Sequence, residues 1–312
     1  MNIKVFLFHR INPYKDAVWP PVTPAHFDKI LTYLKKSHEI VPLEKTILGQ
    51  YKPRSKNLCA ITFDDGYKDF IEYAMPILAK HRSTASMYVI TDCVNSNLPP
   101  WTFLFNYLLI NTKSRSLIID SEDIPVSFRK IVWNGEAQKL AFIKSLSPLL
   151  KKISDKSKEN IITQIESQIK DVEEPRGLML NWSDIRNMKR EGIEIGSHSA
   201  NHPVLSKEPS TDTLHQELIK SGQEIERETG QFPLAISYPF GAYDTMVKEI
   251  ARKAGYKMGL TVFPKVFSLA DDKFEIPRIE LYNEPFYKSR IRMNANLVGL
   301  KNFFMPDRFP KH

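Results

Sequence analysis

The chain has 312 residues, 42% of them hydrophobic and 26% charged, with a formal net charge of +8. That balance excludes a disordered or fibrous protein and leaves room for one large domain or two ordinary ones, each with a full core. The positive charge admits an anionic partner, but the lysines are dispersed, and no zinc-finger spacing, aromatic RNA-binding signature or arginine-rich arm occurs, so nucleic-acid binding is not expected.

The first element is KVFLFH, a buried strand; the short apolar run lacks a small-residue cleavage site and is broken by His9 and Arg10, unlike a signal peptide. TPAHFDKILTYLKKSH predicts a helix, with Thr23 before Pro24 at its start. LCAITF predicts the second strand, in which Cys59 is a small buried thiol; with Cys93 as the only other cysteine there is no disulfide framework. YKDFIEYAMPILAKHR carries helical spacing, with Phe70, Ala74, Ile77 and Leu78 on one face, and STASMYVI is again a strand. This βαβ rhythm implies a parallel sheet with helical crossovers.

After about residue 92 the rhythm breaks. An aromatic, proline-punctuated stretch with Trp101, Phe103 and Tyr107 leads into lysine-rich amphipathic helices with solvated faces, so residues 93–176 are expected to form a helical insertion. The alternation resumes with a short helix capped near Asn181 or Ser183, the strand GIEIGSH, and a long helix ending at Gly230. Then come the strand PLAISYPFG, the helix YDTMVKEIARKAG, and the strands YKMGLTVF and FEIPRIEL. Six or seven strands with helices between them suit an open sheet or a (β/α) barrel, where chemistry sits at the C-terminal strand ends. No stretch approaches the roughly 20 apolar residues of a membrane span, and a cytoplasmic location is expected. The tail over 285–312 mixes basic and aromatic residues; packing on the domain is its default, and contact with the inner membrane surface is the sharper alternative.

The polar clusters fall at those strand ends. Asp64 and Asp65 follow ITF, and His198 and His202 lie just past IEIGS. Alone, each pair is an ordinary turn or loop feature. Together they offer a carboxylate and two imidazoles with positions left open for water and substrate, as a catalytic divalent metal requires. On ligand grounds such a site accepts zinc, cobalt or nickel, and zinc is the metal expected.

TFDDG (62–66), HSANH (198–202) and SYPFG (237–241) together resemble the polysaccharide deacetylase family, the NodB homology domain of carbohydrate esterase family four. The resemblance runs from about residue 55–65 to 280, with the helical insertion outside the pattern. It implies a deformed (β/α) barrel over residues 1–284 that removes acetyl groups from the N-acetylated sugars of a glycan. The intracellular look of the chain slightly favours a lipid- or nucleotide-linked sugar precursor over mature polymer as its partner. By the same resemblance Asp64 is the general base, Asp65, His198 and His202 hold the metal, and the backbone N–H of Phe240 faces the oxyanion. This chain departs from the pattern in its third motif, where Ser237 stands in place of an arginine and Phe240 in place of a tyrosine. Arg278, in EIPRIEL, is the candidate replacement guanidinium. The C-terminal histidine motif is absent, but KVFLFHR resembles the N-terminal segment of a circularly permuted subset, which makes His9 the candidate general acid. Two alternatives stay open: hydrolysis of another C–N bond in a small molecule, and glycan binding without catalysis.

Overall fold

The computed structural model describes residues 1–207 and 210–294. Its main sheet is made from apolar runs without polar alternation, which parallel strands covered on both faces accommodate. The first strands are β1 (Asn2–Phe8), β2 (Glu39–Ile40), β3 (Leu58–Phe63) and β4 (Ser86–Val89). A separate hairpin follows, β5 (Ser116–Ile118) and β6 (Lys130–Val132). The set continues with β7 (Glu194–Ser197), β8 (Ala235–Ser237), β9 (Met258–Leu260), β10 (Phe267–Ser268) and β11 (Ile279–Glu280).

The sheet runs β10-β1-β3-β4-β7-β8-β9, with β11 also on β1 and β2 on β3. Among the described residues, only the β1–β10 pairing within it is antiparallel. The sheet curls, and one segment draws its edges together. Leu260 bridges Ile276, while Ile279 and Glu280 pair with Phe6 and Leu7, so residues 276–280 lead from β9 back to β1. The Ile276 N–H donates to the Gly259 carbonyl at 2.9 Å and the Leu281 N–H to that of Leu7 at 3.1 Å. The outcome is a deformed (β/α) barrel with helices outside, the fold the resemblance implies and one of the two that the alternation allows.

Local chemistry sets the helix ends. The Thr23 hydroxyl accepts from the His26 N–H with Pro24 in the first helical position, and Asn181 and Asp184 form a reciprocal capping box. Gly230, at φ 76°, terminates its helix in the left-handed conformation that glycine adopts without penalty. Two helices depart from the expected regular spacing. Phe70–Ala74 and Gln216–Lys220 are π turns, each spliced into an otherwise α-helical run.

The stretch expected as an insertion holds helices Trp101–Asn111, Glu136–Leu150 and Asp155–Gln168 beside the β5–β6 hairpin. It has an apolar cluster of its own, centred on Phe105, Leu109, Ile143, Leu146 and Ile161. Two expectations are corrected here. The hairpin was not anticipated, because three-residue strands carry too little alternation to register. Nor are all the lysines solvated: buried Lys139 donates to the carbonyls of Ile110 and Thr112 at 2.9 and 3.1 Å, neutralising the negative end of helix Trp101–Asn111. Lys158 is also buried, paired with Asp155. The tail begins as helix Phe286–Asn294, packed on the domain with Lys29 Nζ 4.4 Å from the centre of the Phe286 ring; the rest of it lies outside the described residues. No helix among the described residues is long and apolar enough to cross a membrane.

Barrel packing gives one direct test. A Cβ on Gly196 in β7 would run into the Tyr88 ring of neighbouring β4. Gly196→Ala is expected to cost about 1–3 kcal/mol through overpacking, seen as a lower urea midpoint at unchanged slope.

Candidate active site

Parallel strands in register deliver their following residues to one end of the barrel. Asp64 and Asp65 leave β3, His9 follows β1, His198 follows β7 and Ser237 closes β8. The Asp64 N–H donates to the Phe8 carbonyl at 3.1 Å and the His198 N–H to that of Val89 at 2.8 Å, so the strand ladders run right up to the site. Beyond them the backbone turns sharply. Asp65, Ser199, His202 and Phe240 have φ of 74°, 66°, 61° and 59°, four of the six positive values among the described non-glycine residues. Such conformations persist only where the surroundings hold them, and they collect at functional sites.

Asp65, His198 and His202 are all buried, and one ligand atom from each lies within 4.8 Å of the others. His198 Nε2 is 3.4 Å and His202 Nε2 3.7 Å from Asp65 Oδ1. The His198 Nδ1–H donates to the Ser237 carbonyl at 2.7 Å, which directs Nε2 toward the cluster. Burial first, and then His198, hold the pKa of His202 well below its ordinary value, so it is neutral. Burial also opposes a charge on His198, but Asp64 and Asp65 outweigh it and raise its pKa. A cation binding at Nε2 would therefore compete with a proton. Asp65 Oδ1 is buried without a hydrogen-bond partner. An unsatisfied carboxylate oxygen facing two imidazole nitrogens fits a divalent cation, and Asp65, His198 and His202 are the residues that would hold it.

Asp64 faces differently. Arg278 grips it with two parallel bonds, Nη1 to Oδ1 at 2.8 Å and Nη2 to Oδ2 at 2.7 Å. Ser237 Oγ donates to Asp64 Oδ2 at 3.0 Å and accepts from Arg278 Nη2 at 2.8 Å. The guanidinium, wholly buried, is anchored in turn by Nε to the Thr261 carbonyl at 3.0 Å. Burial alone would raise the pKa of Asp64; Arg278, with His198 beside it, more than reverses this and holds the carboxyl well below the usual carboxylate range. Arg278 thus comes to Asp64 from the segment that joins β9 to β1, while the serine in the motif position adds a hydroxyl. The donor role of Ser237 was missed in the sequence, where it registered only as the absence of an arginine.

His9 is about a fifth exposed (21%), with Nδ1 3.7 Å from Glu280 Oε1. Glu280 is itself fixed by the Tyr282 hydroxyl, which donates at 2.6 Å, and the imidazole meets Trp19 edge-on at 5.1 Å. The ring of Phe240 packs on His202 with centroids 4.6 Å apart. The insertion reaches the same place: Trp101 Nε1–H donates to the His202 carbonyl at 3.4 Å, and Lys151 Nζ lies 4.5 Å from the centre of the Phe240 ring. Phe103 stacks on Tyr107 and is covered by Arg10. His26, His38 and His81 bond to Ser289, Ser37 and Asp28, apart from this cluster.

Fold and site together define a (β/α) barrel protein with a candidate metal centre, and a clamped carboxylate next to it, at the C-terminal mouth of its strands. A family model described as polysaccharide deacetylase matches residues 51–259, more than half of the chain, which therefore belongs to that family. A stretch of 65 residues is 34% identical to the peptidoglycan-N-acetylglucosamine deacetylase PgdA of Listeria monocytogenes, 21% of this chain and only 14% of that protein. Among solved structures, the Streptococcus pyogenes deacetylase PplD in complex with acetate superposes with a TM-score of 0.61 at 20% identity, covering 91% of this chain and 94% of that one. The de-N-acetylase of Aggregatibacter actinomycetemcomitans gives 0.62 at 15% identity, over 94% and 100%. At these identities the likeness is one of fold.

Proposed function

We propose that this chain is a metal-dependent hydrolase that removes acetyl groups from N-acetylated sugars in a glycan or in a lipid- or nucleotide-linked glycan precursor. The observation that carries this reading is the buried Asp65–His198–His202 cluster with an unsatisfied carboxylate oxygen, set beside a second carboxylate that is ionised and oriented. A divalent cation held there, zinc by preference and cobalt or nickel by chemistry, would acidify a water and polarise an acetyl carbonyl. Asp64 takes the proton of the attacking water; the Arg278 fork and Ser237 fix the direction in which it accepts. The Phe240 backbone N–H is the candidate donor to the oxyanion. His9, backed by Glu280, gives a proton to the departing amine.

The test is acetate release from N-acetylglucosamine oligomers and from acetylated precursors, before and after metal stripping and with Zn, Co or Ni restored. Release that stops on stripping and returns with metal is the expected result. Acetate release indifferent to chelation, or none across the panel with metal bound, refutes the reading.

A further inference from the structure

The two imidazoles come from one five-residue loop whose backbone is unusual at both Ser199 and His202. L-residues abandon left-handed conformations unless something holds them. On one side the loop is tied to the residues after β4, with the Asp92 N–H donating to the Ala200 carbonyl at 3.0 Å. Within the loop, the His202 N–H donates to Ser199 Oγ at 3.0 Å. Trp101 reaches the His202 carbonyl at its end, and on the other side stands the Glu217 side chain. The successive N–H groups of Ala200 and Asn201 both donate to Glu217 Oε2, at 3.0 and 2.9 Å, an anion nest filled by the protein's own carboxylate.

Glu217 sits in the π turn Gln216–Lys220, an irregularity of the kind that gathers at functional sites. Three residues on, Lys220 reaches the same neighbourhood and pairs with Asp92 at 2.7 Å. One short helical turn therefore grips both the loop and the residue that backs it. We propose that Glu217 is a positioning residue for the metal centre: its carboxylate pins the loop between His198 and His202 in the shape that presents both imidazoles to one cation. This rests on the metal-centre reading above.

The experiment titrates metal-free wild type, Glu217→Ala, Glu217→Gln and Glu217→Asp with Co2+, following its visible absorption and competition with a chelator. Glu217→Ala is expected to weaken Co2+ binding about ten- to hundredfold, the scale for losing an outer partner of a metal ligand. Glu217→Gln keeps the reach and an acceptor oxygen and should recover most of the affinity and the wild-type spectrum. Glu217→Asp keeps the charge but falls one methylene short, so it should bind more weakly than Gln. That order decides the matter even if the alanine variant does not fold. Aspartate binding as tightly as glutamine, or all variants matching wild type, overturns the proposal. The two readings fail differently. Wild type that takes up no Co2+ refutes the metal centre and this proposal with it; tight binding in wild type and variants alike refutes the role of Glu217 alone.

Discussion

Asp64→Asn is expected to lower turnover by about 10²–10⁴-fold, the range for removing a positioned general base. The substitution keeps volume but presents an amide where Arg278 and Ser237 both offer N–H or O–H donors to the carboxylate. An Asn amide has only one acceptor oxygen, so a donor is left facing a donor. The protein should also lose stability, and turnover must be measured on folded material and normalised to bound metal. The informative contrast is with Asp65→Asn. Asp64→Asn retains stoichiometric metal while failing at catalysis; Asp65→Asn fails because metal is lost. An Asp64→Asn enzyme with more than a tenth of normal turnover would remove Asp64 from the base role.

Arg278→Ala is the second large effect. Removing the guanidinium leaves the Asp64 carboxylate buried with its ion-pair partner gone, and breaking a buried pair in this way costs about 3–5 kcal/mol. Against a typical total of about 5–15 kcal/mol, that is about a fifth or more of what keeps the chain folded. The sign with pH follows from the depressed pKa of Asp64. The native carboxyl takes up its proton at lower pH than the unfolded one, so its stabilisation is complete above about pH 4 and is lost only as pH falls below that. Stability curves of wild type and variant should therefore lie closest in strong acid and separate as pH rises, the gap reaching its full width only above the raised carboxyl pKa of the variant. Without the guanidinium the carboxyl pKa rises, so the acid limb of kcat/KM should move to higher pH. Arg278→Lys should rescue part of the stability, since one ammonium supplies charge but not the two-pronged fit. Unchanged turnover and an unmoved pH profile in Arg278→Ala would refute its service to Asp64.

Much of this was legible because the informative signals are local. Apolar runs ending abruptly in Asp64–Asp65 and in His198 mark strand ends, and strands in parallel register bring those ends together. Capping residues such as Thr23 and Asn181 act within a few positions of themselves, so helix starts were readable too. Features that depend on three dimensions were legible in part or not at all. Arg278 could be named as the candidate guanidinium, but how it reaches a residue 214 positions away is explained only by the path of the chain past β9. Glu217 occupies what resembles the polar face of a plain amphipathic helix; its task appears only with the π turn and the neighbouring loop. The two-residue strands β2 and β10 owe their existence to partners in the sheet, and no local propensity announces them.

The segment that draws the barrel shut also carries Arg278 inward. Until residues 276–280 lie against β1, Asp64 at the end of β3 would lack its counter-charge. Joining the last edges and readying the carboxylate are then a single act. On the role proposed for Asp64, catalytic competence would then report finished folding, and a product that stops before Ile276 would lack the guanidinium that readies the base.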